Sequence, residues 1–113
     1  MIIREWRCRA RQSEAGKYPD YFRKELMPEL VRVQGFLGGF LSQRPSGEFI
    51  EFLVLTRWQS LDSIRAFAGA VPENAIIDTG AMATVVAYDD KVRLYDVLED
   101  LWPKQRQEPA EHS

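Results

Sequence analysis

The chain has 113 residues, one domain by size, of which 45% are hydrophobic and 12% aromatic. Fifteen basic and seventeen acidic side chains leave a net charge of −2, which argues against a nucleic-acid partner, because phosphate binding needs a basic surface. One cysteine, Cys8, excludes an internal disulfide and a cysteine-based zinc site, and the one histidine, His112, leaves no imidazole for metal catalysis or a catalytic relay within residues 1–111.

The first residues, MIIREWRCR, carry a charge by the fourth position, so they do not read as a signal peptide. No apolar run approaches the roughly 20 residues of a membrane span, so no membrane partner is expected and a reducing, cytoplasmic setting fits. Residues 2–10 alternate: Ile2, Trp6, Cys8 and Ala10 point one way with Arg4 as the exception, and Glu5, Arg7, Arg9 and Arg11 point the other. That is a strand with one buried face and one solvated basic stripe. Cys8 reads as a small buried apolar residue.

Ser13 is placed to cap a helix, with Glu14 at its positive end. Tyr18, Tyr21, Phe22, Leu26, Leu30 and Val33 share one face of it at helical spacing. Pro19 bends that helix or moves its start to about residue 18, and Pro28 disturbs its end. Residues 35–44, GFLGGFLSQR, read as a strand whose Gly38 and Gly39 suggest a bulge or a close approach by another backbone or a ligand. They open no helix, so they are no nucleotide signature. PSG, 45–47, is hairpin-turn chemistry.

Phe49 to Trp58 forms the next strand. Ile50, Phe52, Val54, Thr56 and Trp58 lie on one face; Phe49, Glu51, Leu53, Leu55 and Arg57 lie on the other. Both faces carry large apolar groups, where a half-exposed antiparallel strand would alternate cleanly. Two helices in so short a chain cover one side of a sheet. The same sheet of a second subunit would cover the other, so the pattern predicts a homodimer.

Ser60 caps a second helix with Leu61, Ile64, Phe67 and Ala68 as its buried stripe and Gly69 as its C′ residue. VPENAIID, 71–78, predicts a short helical turn begun by Pro72. Residues 79–90 fit either a strand, through Thr84, Val85 and Val86, or a short helix. Val92 to Leu98 predicts the last strand, with Val92, Leu94 and Leu98 on one face. Trp102 packs on the domain or a partner, and the tail 99–113 is expected to be partly disordered. The order strand, helix, strand, strand, helix, strand makes 1–98 a ferredoxin-like βαββαβ domain of the α+β class, with a four-stranded antiparallel sheet and helices on one face.

MIIREWRCRA, GFLGGFLSQR, EFLVLTRWQSLDSIRAFAG and VRLYDVL together resemble the antibiotic biosynthesis monooxygenase family. The resemblance implies a dimeric α+β barrel built from two ferredoxin-like sheets packed face to face. It implies a cavity between sheet and helices, with Trp58 at the place of a tryptophan that many members keep at the mouth of the second helix. Some members oxidise aromatic phenols with O2 and no cofactor, some degrade haem, some are quinol-type oxygenases, and many have no known activity. Haem-degrading members use an asparagine on the first strand, where this chain has Trp6, and a histidine beyond the second helix, where this chain has none before His112. Leu94 stands where relatives often carry a histidine.

The chemistry left open is cofactor-free oxygenation of a small hydrophobic, aromatic or quinol-like substrate, with neither cofactor nor metal. Its alternative is a non-catalytic dimeric ligand-binding protein of the same fold. Trp58 and Arg4 are the candidate catalytic groups, and Trp6, Tyr21, Phe22, Phe52, Phe67 and Leu94 the candidate substrate walls. Trp6 and Trp58 fit equally as core or interface aromatics, and Tyr21 and Phe22 fit the core better than a pocket. Arg4, a charge on an apolar face, needs a partner, either Asp96 or a bound anion.

Overall fold

The computed structural model describes residues 1–103. Strand β1 is Ile2–Arg11, and a 3-10 turn, Gln12–Glu14, follows it. Helix α1, Lys17–Tyr21, runs through a π turn, Phe22–Leu26, into α2, Met27–Leu30. Then come β2 (Phe36–Ser46), β3 (Phe49–Trp58), α3 (Leu61–Ala68), α4 (Thr79–Met82), β4 (Ala87–Tyr88) and β5 (Arg93–Asp96). The sheet is antiparallel in the order β2-β3-β1-β4, with β5 also on β1. This is the expected α+β, ferredoxin-like arrangement, with the last strand in two pieces.

Strands β1 and β3 form where inward positions are apolar at period two. Inner-face residues Ile2, Arg4, Trp6, Cys8 and Ala10 of β1 and Phe52, Val54, Thr56 and Trp58 of β3 are all buried. They meet Tyr18, Phe22 and Leu30 of the first helix and Ile64 and Ala68 of α3 in one core. Trp58, Tyr18, Phe52 and Ile64 are fully buried, and burial of a side chain of this size stabilises by roughly 1.5–3 kcal/mol. Arg7, Arg9 and Arg11 are exposed, as the solvated-stripe reading expects.

Glycines stand where the backbone needs them. A β-bulge falls between Phe36 and Gly38. Gly38 has φ 118°, and a Cβ on Gly39 would sit 2.5 Å from the Leu55 carbonyl oxygen. The two glycines therefore let β2 kink against β3. Ser60 caps α3 by accepting from the Ser63 backbone N–H, while the Ser63 hydroxyl takes the Ser60 N–H in return.

Several expectations are corrected. Ser13 caps nothing; it lies in the 3-10 turn, and α1 starts at Lys17. That start puts Pro19 in the first turn, where its missing N–H leaves no bond unmade. Pro28 cannot continue the i→i−4 ladder, and the turn just before it widens, with the Met27 N–H donating to the Phe22 carbonyl. Of the expected helical turn in 71–78 a single turn around Pro72 forms, closed by the Asn74 N–H donating to the Val71 carbonyl at 3.1 Å, and no helix follows it. The segment's backbone pairs with a distant loop instead: the Ala75 N–H donates to Asp90 O, and the Val92 N–H to Glu73 O. The ambiguous 79–90 holds both elements, α4 and then β4. The last strand ends at Asp96, and Leu98 lies beyond it, 87% exposed. Most of the expected tail, residues 104–113 with His112, lies outside the described residues.

Candidate functional site

Two hollows open on the helix side of the sheet. The larger is a cleft of about 510 Å³ between the α1–α2 helix and the edge strand β2. Phe22, Met27, Leu30 and Val31 form its helix wall, and Phe36, Gly38, Gly39 and Leu41 its β2 wall. Thr56 is at its floor, and Arg23 is its one charged lining residue. The volume lies within the range of small-molecule sites. The Arg23 guanidinium is held at the surface by Asp20, 2.8 Å away.

The smaller hollow, about 50 Å³, lies on the other side of the helix. Arg4, Trp6, Tyr18, Tyr21, Phe67 and Ala81 line it, and Glu29 and Asp78 stand at its exposed rim. Four of the eight candidate residues, Arg4, Trp6, Tyr21 and Phe67, thus meet around this small cavity. Phe22 faces the large cleft.

Trp58, Phe52 and Leu94 line neither. Trp58 is fully buried. Its indole N–H donates to Thr56 Oγ1 at 2.8 Å, its ring stacks on Phe67 at 5.7 Å, and Phe36 meets it edge-on at 5.2 Å. The Thr56 hydroxyl in turn donates to the Arg4 carbonyl at 3.4 Å. Tryptophan at this position closes the strand-to-helix corner from inside. Phe52 is fully buried against Tyr18, and half-buried Leu94 sits opposite Arg4 in the β1–β5 ladder. The Trp6 indole is also committed, donating to the Asp89 carbonyl at 2.8 Å.

Arg4 does not pair with Asp96. Its Nη2 donates to the Asn74 carbonyl at 3.0 Å, its guanidinium lies 5.5 Å from the Phe67 ring centre, and its Nε is buried without a partner among the described residues. Asp96 is exposed and pairs with Ile2 in the β5 ladder. Burial lowers Arg4 to about 10, which still leaves it charged at neutral pH. Burial pushes the Cys8 thiol up to about 12, helped by Asp89, and pushes the Tyr18 hydroxyl far above its ordinary range. Tyr21 also rises, by burial first and then by donating to Asp78 at 2.9 Å. Asp78 is held below the usual carboxylate range, chiefly by the Ala81 backbone N–H and then by Tyr21.

The sequence points to the large cleft only in part: the resemblance implies a cavity between sheet and helices, and of the eight candidate residues Phe22 alone lines it. Its walls come from the helix and from an edge strand whose residues carry no shared periodicity. The Gly38–Gly39 pair, read as a bulge or a close approach, points there too.

Neither a family model nor a curated protein sequence matches the chain significantly. Solved structures do. One is a candidate antibiotic biosynthesis monooxygenase from Bacillus cereus, TM-score 0.68, 14% identical over 93% of this chain and 98% of that one. The chain has the fold of the antibiotic biosynthesis monooxygenases. A second such protein, from Deinococcus radiodurans, matches at TM-score 0.65 with 16% identity over 93% of this chain and all of that one. The haem-degrader MhuD of Mycobacterium tuberculosis, solved with two haems in its active site, matches at TM-score 0.56 with 17% identity over 88% of this chain and 99% of that one.

Proposed function

We propose that the chain is a cofactor-independent monooxygenase that binds a small hydrophobic substrate, aromatic or quinol-like, in the cleft between the α1–α2 helix and β2. The cleft carries the proposal: an apolar hollow of about 510 Å³ beside a glycine-bulged strand, in a monooxygenase fold. Among its lining residues there is no carboxylate, histidine, cysteine or tyrosine that could act as a base. The substrate must therefore ionise by its own acidity. The resulting carbanion or phenolate gives its electrons to O2, and the C–O bond forms as a peroxide. Protonation and loss of water leave the ketone or quinone, so the substrate supplies every electron. The protein's part is to hold the ring in a dry site, with Arg23 the nearest cation to an oxyanion at the rim.

Oxygen uptake against anthrones, naphthols and hydroquinones tests this, with Met27→Trp, which fills the cleft from its exposed side, as the control. Saturable uptake above autoxidation, lost in Met27→Trp, is expected. Its pH profile should track each substrate's own pKa. Uptake at the autoxidation rate across the panel would sink the catalytic reading.

The second reading, a non-catalytic binding protein, is favoured by the same missing base and by aromatics that pack on one another. Haem fits poorly. The described residues hold no histidine, and the Cys8 thiol is buried and kept protonated. No step is drawn through haem.

The outer sheet face supports a homodimer. Phe40 and Tyr95 are 61% and 51% exposed there, beside half-buried Ile3, Leu53, Leu55 and Val97. Arg7, Arg44 and Arg93 ring Glu5 and Glu51 on the same face. Light scattering is expected to give about twice the 13.1 kDa chain mass; the chain mass itself would refute the pairing. A reducing, cytoplasmic compartment suits the lone buried Cys8.

A further inference from the structure

The 50 Å³ cavity is lined by Arg4, whose Nε donor nothing in the described chain satisfies. Arg4 is 7% exposed, its Nη2 is used by the Asn74 carbonyl, and its Nε–H has no acceptor. A buried guanidinium normally faces a carboxylate, which offers two oxygens to its fork. Here no carboxylate pairs with the guanidinium among the described residues, and Arg4 lines a hollow. Tyr18 lines the same hollow, and burial keeps its hydroxyl protonated, so it can donate a second hydrogen bond. Trp6, Leu26, Val54, Phe67 and Ala81 supply apolar wall, and Tyr21, Glu29 and Asp78 are the other polar lining residues.

We propose that Arg4 and Tyr18 form a binding site for a small monocarboxylate of formate or acetate size, in the cavity between β1, the first helix and residues 76–81. The volume admits roughly three to five non-hydrogen atoms, taking the space one water needs as the unit. Glu29 and Asp78 at the rim repel a second negative charge, so the site prefers a monoanion to malonate or phosphate. The carboxylate takes the Arg4 Nε–H and leaves the Asn74 contact in place. Arg4 is thereby a ligand-binding residue of a site separate from the apolar cleft, and the inference is independent of the oxygenase reading.

The test titrates ¹⁵N-labelled full-length protein with sodium acetate, and with sodium chloride at equal ionic strength. The Arg4 Nε–H signal, assigned by its absence in Arg4→Met, is followed together with the melting temperature. A saturable shift with acetate and none with chloride is expected, with melting raised by acetate as the logarithm of one plus the ratio of acetate concentration to Kd. Malonate should give a weaker response. The acetate effect should vanish in Arg4→Met and in Ala81→Leu, which fills the cavity from the opposite wall and keeps the guanidinium. An equal response to chloride, an acetate effect that survives in both variants, or no response at all overturns the proposal and leaves the cavity to water. If solvent exchange hides the Nε–H signal, the melting comparison decides alone by the same criteria.

Discussion

Trp58→Phe separates packing from ligand contact at the strand-to-helix corner. Trp58 is fully buried, stacked on Phe67, and hydrogen-bonded to Thr56. Phenylalanine keeps one ring but leaves a void and loses the indole donor, at a cost of about 2–3 kcal/mol. In a domain this size that lowers Tm by roughly 10 °C or more. Thr56→Val acts differently. It strands the Trp58 N–H in the core, at about 1–3 kcal/mol. In the Trp58→Phe background no indole remains to strand, so the valine change should cost about 1 kcal/mol less there. Urea denaturation of the two single variants and the double variant reads this coupling. Additive costs, or a Trp58→Phe cost under about 0.5 kcal/mol, would mean that Trp58 is not the buried keystone described, and would return it to a cavity rim.

Gly39→Ala should destabilise by about 2 kcal/mol or more in thermal melts, because its Cβ would lie 2.5 Å from a β3 carbonyl that cannot move without the strand; a neutral result would refute the close approach. Cys8, with its thiol raised to about 12, should resist a disulfide reagent at pH 8 until denaturant is added, and rapid labelling of the native protein would contradict its burial. Asp78 has a lowered folded-state pKa. Its stabilising contribution is therefore present above the ordinary carboxylate value of about 3.9 and is lost as pH falls through the folded value. Asp78→Asn should flatten that acid limb of the stability curve; an unchanged limb would refute the role.

The sheet was legible because the inward positions of β1 and β3 recur at period two and are apolar, Arg4 and Thr56 excepted, although β3 is apolar on its outer face as well. Ser60 announced α3 through its capping chemistry. Past its single turn, the 71–78 segment misled because its backbone partners, residues 90–92, are far away in sequence, and local propensity cannot count them. The break between β4 and β5 was hidden for the same reason: Trp6 and Arg7 stand opposite four residues, 89–92, where a regular ladder has two. The candidate site was half legible. Arg4 stood out as a charge on an apolar face, and the structure gives it a buried Nε without an acceptor. Trp58 carried the family resemblance, yet side-chain type alone does not distinguish a wall from a keystone. The cleft depends on how far the helix stands from β2, a distance no spacing in the sequence encodes.

Chemical-shift mapping of 2-naphthol on ¹⁵N-labelled protein tests most directly whether the cleft is the substrate site. The account predicts saturable shifts at Phe22, Met27, Gly38, Gly39, Leu41 and Thr56, abolished in Met27→Trp. Shifts confined to the outer sheet face at Ile3, Tyr95 and Trp102, or none at all, would contradict it.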